Sequence, residues 1–453
     1  MSKLHQPSAP NTPSRRQVLK GSAIATGAAT FAALGTNFAY AQASDEIRIG
    51  LVGCGGRGRG AVSNAIESSK GVKLVAIADL FPEKIDETKK MWADKPKDQY
   101  DFGKHAFSGF NSYKELLAQA NVNYAILATP PGFRPMMIDE AIKQGKHIFA
   151  EKPVAVDAPG CRQIMEAAKV AKEKGLGIVA GTQRRHENVY NETIKRIQGG
   201  AIGKVVGGQV YWVGGELWMK PRQATWTDME WQLRNWMYFT WLSGDLIVEQ
   251  HVHNIDVANW VIGRTPRSAI ALGGRQTRTD PAYGMIYDHF AVHYDYSPTP
   301  NPDTPADRPD GPHVMSMSRQ IDQCYTRNNE TFQGLAGSAL VSGGVIRDLD
   351  GKITWKFPAK QANNPYETEH ANLIESIRKG QPLNEGQTIA ESVLTAIMGR
   401  MSAYTGQIVT WQQALKSQET LVPANLAGLS QEEFFKSAPP APIVPLPGKT
   451  KLS

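Results

Sequence analysis

A glycine-rich turn set between a strand and a helix restricts the fold of this chain more than any other feature. Ile47 to Val52 alternates and is rich in branched residues, as a strand should be. Gly53-Cys54-Gly55-Gly56-Arg57-Gly58 follows with the spacing G-x-G-x-x-G, and Arg59-Gly60-Ala61-Val62 opens a helix. Glycines there let backbone N–H groups approach a pyrophosphate at the positive end of the helix. Such turns are common by themselves, so the context matters. A second strand, Lys73 to Ala78, ends in Asp79, at about the distance where an acidic residue receives ribose hydroxyls. A carboxylate at that point repels a 2′-phosphate, which favours NAD. NADP stays the alternative, because Arg57 and Arg59 are able to pair with a phosphate.

The alternation continues. Strands at Tyr124–Ala128, His147–Ala150 and Gly177–Ala180 are interleaved with helices over Pro135–Gln144 and 158–174. This rhythm predicts a parallel sheet with ligands at the carboxyl ends of its strands. Thr129-Pro130 and Glu151-Lys152-Pro153 lie at two such ends. Together with the glycine loop, Asp79 and the run Gly145 to Pro153, they resemble the glucose-fructose oxidoreductase / inositol dehydrogenase / MocA family. The resemblance covers roughly residues 46 to 411. It implies nucleotide contacts from Gly53, Gly55, Gly56, Arg57, Gly58, Asp79, Thr129, Pro130, Glu151 and Lys152. It also places Lys152 beside the nicotinamide, holding the substrate hydroxyl or its developing alkoxide, a task that suits an ammonium.

A second constellation runs from Glu249 to Asp256. Read as one helix, Glu249 and His253 are four apart and Asp256 three further on, so all three share a face and make an acid–base relay. The family pattern Asp-x-Gly-x-His-x-x-Asp then implies that His253 is the catalytic histidine and Asp256 the final acid. Glu249 replaces the first Asp and His251 the Gly. A competing reading sets His251 and His253 on a strand as metal ligands. The spacing of Leu246, Val248, Val252, Ile255, Ala258 and Val261 fits a helix better, so no metal is expected. By the same resemblance, the segment Gly181–His186 enters the substrate pocket, with Arg184, Arg185 and His186 as candidate contacts. The plainer reading is a polar linker. Tyr366 and His370 are weaker substrate candidates. Six tryptophans lie between residues 205 and 241; sugar faces stack on such rings, but cores and interfaces account for most of them.

The second half has another rhythm. Strand-like runs at Val205–Val213, Ser268–Gly273, His289–Tyr296, Val314–Gln320, Glu330–Gly334 and Ile353–Phe357 follow one another without long helices between them. The expected fold is thus an α/β Rossmann nucleotide-binding domain plus an α+β domain with a largely antiparallel sheet. The expected boundaries are 46–182 for the first domain, 183–411 for the second and 412–453 for a Pro-rich tail that wraps the surface or a partner. Ser297 to Pro312, with six prolines, reads as an exposed excursion between two strands, and helices are expected at Tyr366–Gly380 and Gly386–Tyr404.

Residues 1–41 read as an export signal. Arg15-Arg16 with Leu19 and Lys20 behind them resemble a twin-arginine (Tat) signal; Ala23 to Leu34 is apolar, and Ala39-Tyr40-Ala41 offers small residues to a peptidase. The formal charge of +7 shrinks to +3 without this segment, 46 basic against 43 acidic residues, too little to argue for a nucleic-acid partner. Cys54, Cys161 and Cys324 have no metal or redox spacing, as suits a fold completed before export. With the family resemblance, the expectation is an exported, periplasmic NAD(P)-dependent oxidoreductase. Hydride passes between tightly bound nicotinamide and a hydroxyl or carbonyl of a sugar or cyclic polyol. Lys152 and His253 handle the proton, and Glu249 and Asp256 orient the histidine. The alternatives are an NAD-dependent glycosidase working by transient oxidation and elimination, or a non-catalytic sugar-binding protein. No membrane span is expected after signal removal, and a homo-oligomer is expected by analogy.

Overall fold

The computed structural model describes residues 45–298, 311–424 and 426–452. The segment expected to be an export signal lies outside the described residues, as does most of the expected proline-rich excursion.

Strands β1 (Ile47–Val52), β2 (Val72–Asp79), β3 (Ala106–Ser108), β4 (Tyr124–Leu127), β5 (His147–Ala150) and β6 (Ile178–Ala180) form one parallel sheet. Its order is β3-β2-β1-β4-β5-β6. The order reverses beside β1, between β2 and β4, and that switch point opens a crevice at the strand ends where a ligand binds. Helices on both faces bury the sheet, so strands such as β4 and β5 are inaccessible along their whole length. Helix Gly56–Ser68 springs from the glycine loop after β1. Helix Ala158–Glu173 is started by the Asp157 side chain, which accepts from the Gly160 N–H.

A second sheet joins β7 (Val205–Gly214), β8 (Ser268–Gly274), β9 (His289–Asp295), β10 (His313–Gln320), β11 (Arg327–Gly334), β12 (Gly337–Leu340), β13 (Val345–Arg347), β14 (Ile353–Lys356) and β15 (Val409–Thr410). The order is β14-β13-β12-β11-β7-β10-β9-β8-β15, and every pairing is antiparallel except β7 with β10. The expected combination of a Rossmann sheet with a mostly antiparallel one is the fold of this chain. Four strands escaped the sequence reading: β3, β12, β13 and β15 have two to four residues each, too few to show a period. Helices Val252–Ile262 and Gly386–Thr405, nearly all buried, pack between the layers.

The C-terminal segment lies against the rest of the fold. Helix Gln431–Lys436 buries Phe434, which stacks on Phe110 with ring centroids 4.0 Å apart. Further on, the Tyr287 hydroxyl donates to the carbonyl of Pro445 at 2.9 Å. The three cysteines are unpaired, and only Cys324 is exposed. Among the described residues, no helix is long and apolar enough to cross a membrane.

Candidate active site

A cavity of about 690 Å³ runs from the carboxyl ends of β1, β2, β4 and β5 to the face of β7. All ten positions expected to meet a nucleotide line it, from Gly53 to Lys152. Gly53 has φ +97°, and its carbonyl oxygen lies so close to Gly58 that a Cβ there would be 2.0 Å away. By contrast, a Cβ on Gly55 or Gly56 would meet open space. The helix starting at Gly56 has no side-chain cap, which leaves its first N–H groups for an anion. At the end of β2 the Asp79 carboxylate accepts from the Cys54 N–H at 2.7 Å and the Phe81 N–H at 2.9 Å. Burial raises its pKa above the ordinary value. An open cradle, an uncapped helix and a fixed carboxylate together fit the pyrophosphate and ribose of a dinucleotide.

Arg57 reaches across the cavity. Its guanidinium donates to Glu151 at 2.5 Å and Glu369 at 3.2 Å and lies 5.0 Å from the Tyr366 ring centre. Tyr366 itself lines the cavity. His370, one residue beyond Glu369, is buried against Tyr124 instead, with Nδ1 2.9 Å from the hydroxyl.

At the other end, the Lys152 ammonium donates to the Glu249 carboxylate at 2.8 Å and to the Glu249 carbonyl at 2.5 Å. The expected continuous helix is broken here. Leu246–Glu249 forms one short helix, and a second starts at Val252 after a turn at Gln250 and His251. The break separates the three groups read as a relay. Glu249 turns to Lys152. Asp256 turns away from the cavity, where Arg185 grips it with two N–H groups at 2.8 Å and Ser392 donates at 2.7 Å. No hydrogen bond joins either carboxylate to His253, whose Nδ1 is buried without a partner. The His253 ring instead stacks on Trp212, with centroids 5.7 Å apart and planes 20° apart. Burial, and then the nearby charge of Lys152, Arg184 and Arg57, pushes its pKa well below the ordinary value, so it is a neutral imidazole.

His251 and His253 sit at the start of a helix, not on a strand. The ring of His251 faces β10, with Nε2 2.7 Å from the Ser316 hydroxyl. Among the described residues, no three His, Cys, Asp or Glu side chains are grouped to hold a metal ion.

The candidates Arg184, Arg185 and His186 need correction. A 3₁₀ turn, Gln183–His186, sends them into the interior, where buried charge must be paired. Arg184 pairs with Glu330 and donates to Asn328 at 2.8 Å; Arg185 holds Asp256; His186 lies 3.2 Å from Glu385. None lines the cavity, whereas Gln183 does. Half of the six tryptophans line it as well: Trp212, Trp218 and Trp236. Their clustering in sequence was the available signal, and assigning most of them to core or interface missed it.

Residues 47–179 match the family model described as an oxidoreductase family with an NAD-binding Rossmann fold, GFO_IDH_MocA. The match is to the nucleotide-binding part of the Gfo/Idh/MocA oxidoreductases. The matched residues contain the glycine loop, Asp79 and Lys152, and the cofactor class of that model is NAD. Among curated proteins, the chain is 26% identical over 174 residues to a 2,7-anhydro-N-acetylneuraminate hydratase of Escherichia coli, covering 38% of this chain and 42% of that one. It is 26% identical over 238 residues to an inositol 2-dehydrogenase of Burkholderia cenocepacia, covering 52% and 60%. The chain thus spans about half the length of the curated relatives it matches. A solved scyllo-inositol dehydrogenase from Lactobacillus casei, with bound NAD(H) and scyllo-inositol, shares the fold at TM-score 0.60 and 18% identity, over 81% of this chain and 99% of that one.

Proposed function

We propose that this chain is an exported oxidoreductase that moves hydride between a retained NAD and a hydroxyl or carbonyl of a sugar or cyclic polyol. The observation that carries the reading is the meeting of Lys152, Glu249 and His253 at one end of the cavity that the glycine loop and Asp79 line. NAD, when bound, accepts or returns the hydride. Lys152 offers its ammonium to the reacting oxygen and steadies negative charge there. His253, neutral and buried, is able to accept the hydroxyl proton. Glu249 fixes Lys152, and Trp212 sets the plane of the His253 ring. Asp256 anchors Arg185 rather than the histidine.

The residues before 42 support export of the folded protein to the periplasm by the twin-arginine route. A compartment without a large free nicotinamide pool calls for a cofactor that stays bound and is recycled by a second substrate. Ile270 and Leu272, the latter 79% exposed on β8, support a homo-oligomer through the outer face of the second sheet. A second reading has support from the hydratase relative: transient oxidation followed by elimination, which releases a sugar without net change of cofactor. Mixing the protein with polyols, aldoses and glycosides while following the absorbance of bound reduced nicotinamide separates the two.

The state of His253 makes a further prediction. The pH profile of kcat/KM shows no histidine ionisation near about pH 6.5. Trp212→Ala, which lets water reach the ring, brings that ionisation back; Trp212→Phe keeps the profile flat. A wild-type limb at that pH which disappears in His253→Gln contradicts the assignment. Stability carries the same sign. The unfolded chain protonates His253 and His251 more readily than the folded one, where burial pushes His251 down to about 3. Stability therefore falls as pH drops below about 6.5.

A further inference from the structure

The cavity continues away from Lys152, past Asp79, to Phe81 and Lys84. With the pyrophosphate on the glycine loop, the adenosine half of a dinucleotide lies at this end. Its second wall comes from a distant part of the chain. Trp218, Lys220, Leu233, Arg234 and Trp236, from the connection between β7 and β8, line the cavity. Arg234 ends the helix Asp228–Arg234 and crosses to the nucleotide side. Its guanidinium lies 3.9 Å from the Phe81 ring centre and 4.9 Å from that of Trp226, and it pairs with Glu83 at 2.7 Å and Glu230 at 2.8 Å.

The same segment is tied down from behind. The Asn235 amide accepts from the Lys220 N–H at 2.8 Å and donates to its carbonyl at 3.2 Å, and the Trp241 indole donates to Gln232 at 2.6 Å. Gln232 in turn donates to the carbonyl of Pro440 in the C-terminal segment at 3.3 Å. The neighbouring Phe435 lies 6.2 Å from Phe81.

We propose that residues 217–236 are a clasp over the adenosine end of the nucleotide site, latched by Arg234 to Glu83 and Phe81, and that its opening limits nucleotide release. The proposal rests on the reading of this cavity as a nicotinamide-dinucleotide site. A dinucleotide seated on the Gly53–Gly58 loop has Phe81 on one side of its adenosine and the clasp on the other. It leaves only when the two walls part, and the Arg234 contacts join them. Glu83 is about half exposed, so breaking the pair opens no core.

The test is the release rate of NADH from the loaded full-length protein, followed by loss of bound-nicotinamide fluorescence in excess NAD. Arg234→Ala speeds release roughly tenfold, as expected from losing a cation–π contact and an ion pair together. Glu83→Ala, at an exposed site that tolerates substitution, speeds it roughly threefold, and Arg234→Lys falls between the wild type and Arg234→Ala. Variants that release at a slow wild-type rate overturn the clasp and leave cofactor retention standing. Fast wild-type release that no variant accelerates overturns both. Fast wild-type release that the variants accelerate further supports the clasp and removes retention.

Discussion

Lys152→Ala lowers turnover by about 10³-fold while the nucleotide stays bound, because acid–base and charge-stabilising groups contribute roughly 10²–10⁴-fold. The ammonium sits at the junction of the nucleotide cavity and the second sheet, and its two hydrogen bonds go to one residue, Glu249. The nucleotide contacts expected from the glycine loop and Asp79 are made elsewhere in the cavity, so their loss is not part of this substitution. The same change leaves the Glu249 carboxylate, nearly buried, without its counter-charge. A buried charge stripped of its partner is strongly destabilising. The double variant Lys152→Ala/Glu249→Gln therefore recovers thermal stability without recovering turnover. Steady-state assay, mass spectrometry of bound nucleotide and a melting curve measure the three quantities. Turnover within about tenfold of wild type removes the mechanism.

Gly58→Ala has the second large effect, and it acts through the backbone. The added Cβ would lie 2.0 Å from the Gly53 carbonyl oxygen and 3.1 Å from both Ala128 Cβ and Leu51 Cδ1. The nearest clash is with main chain, so no side-chain rotation relieves it. Overpacking of this kind costs roughly 1–3 kcal/mol, and it displaces the turn that shapes the anion site. Nucleotide affinity then drops by roughly tenfold or more, since each 1.4 kcal/mol of lost geometry is a factor of ten. Gly56→Ala is the control: its Cβ enters open cavity space, so the protein folds with wild-type stability and loses affinity only by crowding the pyrophosphate. Titration with NADH and melting curves of both variants check the contrast. Equal melting temperatures would show that the close approach of Gly58 carries no strain.

The first sheet was legible because its signals are local. Each strand is a short apolar run ending in a distinctive residue, and Asp79, Thr129 and Glu151 all land at the cavity edge. The placement of Lys152 and His253 along the cavity was legible for the same reason, as positions within recognisable runs. Their partners were not. Helical spacing put Glu249, His253 and Asp256 on one face, but the chain breaks at Gln250 and His251, and each side chain leaves in its own direction. Arg184, Arg185 and His186 are pocket candidates only through the family resemblance, which places the segment and not its individual side chains. Their carboxylate partners, Glu330, Asp256 and Glu385, come from remote elements that no local pattern connects to them. The clasp was invisible on the same grounds. Residues 217–236 have no clean period, and only the fold brings Arg234 to Phe81 and Glu83.

Denaturing the purified protein, identifying released nucleotide by mass spectrometry, and mixing intact protein with a polyol and aldose panel decides whether this chain holds a nicotinamide dinucleotide and reacts it with sugar or polyol hydroxyls. Close to one NAD(H) per chain is expected, with a near-ultraviolet band of bound reduced nicotinamide that rises or falls with at least one panel member. A protein that is empty, fails to bind added NAD and gives no such change is not the oxidoreductase proposed above.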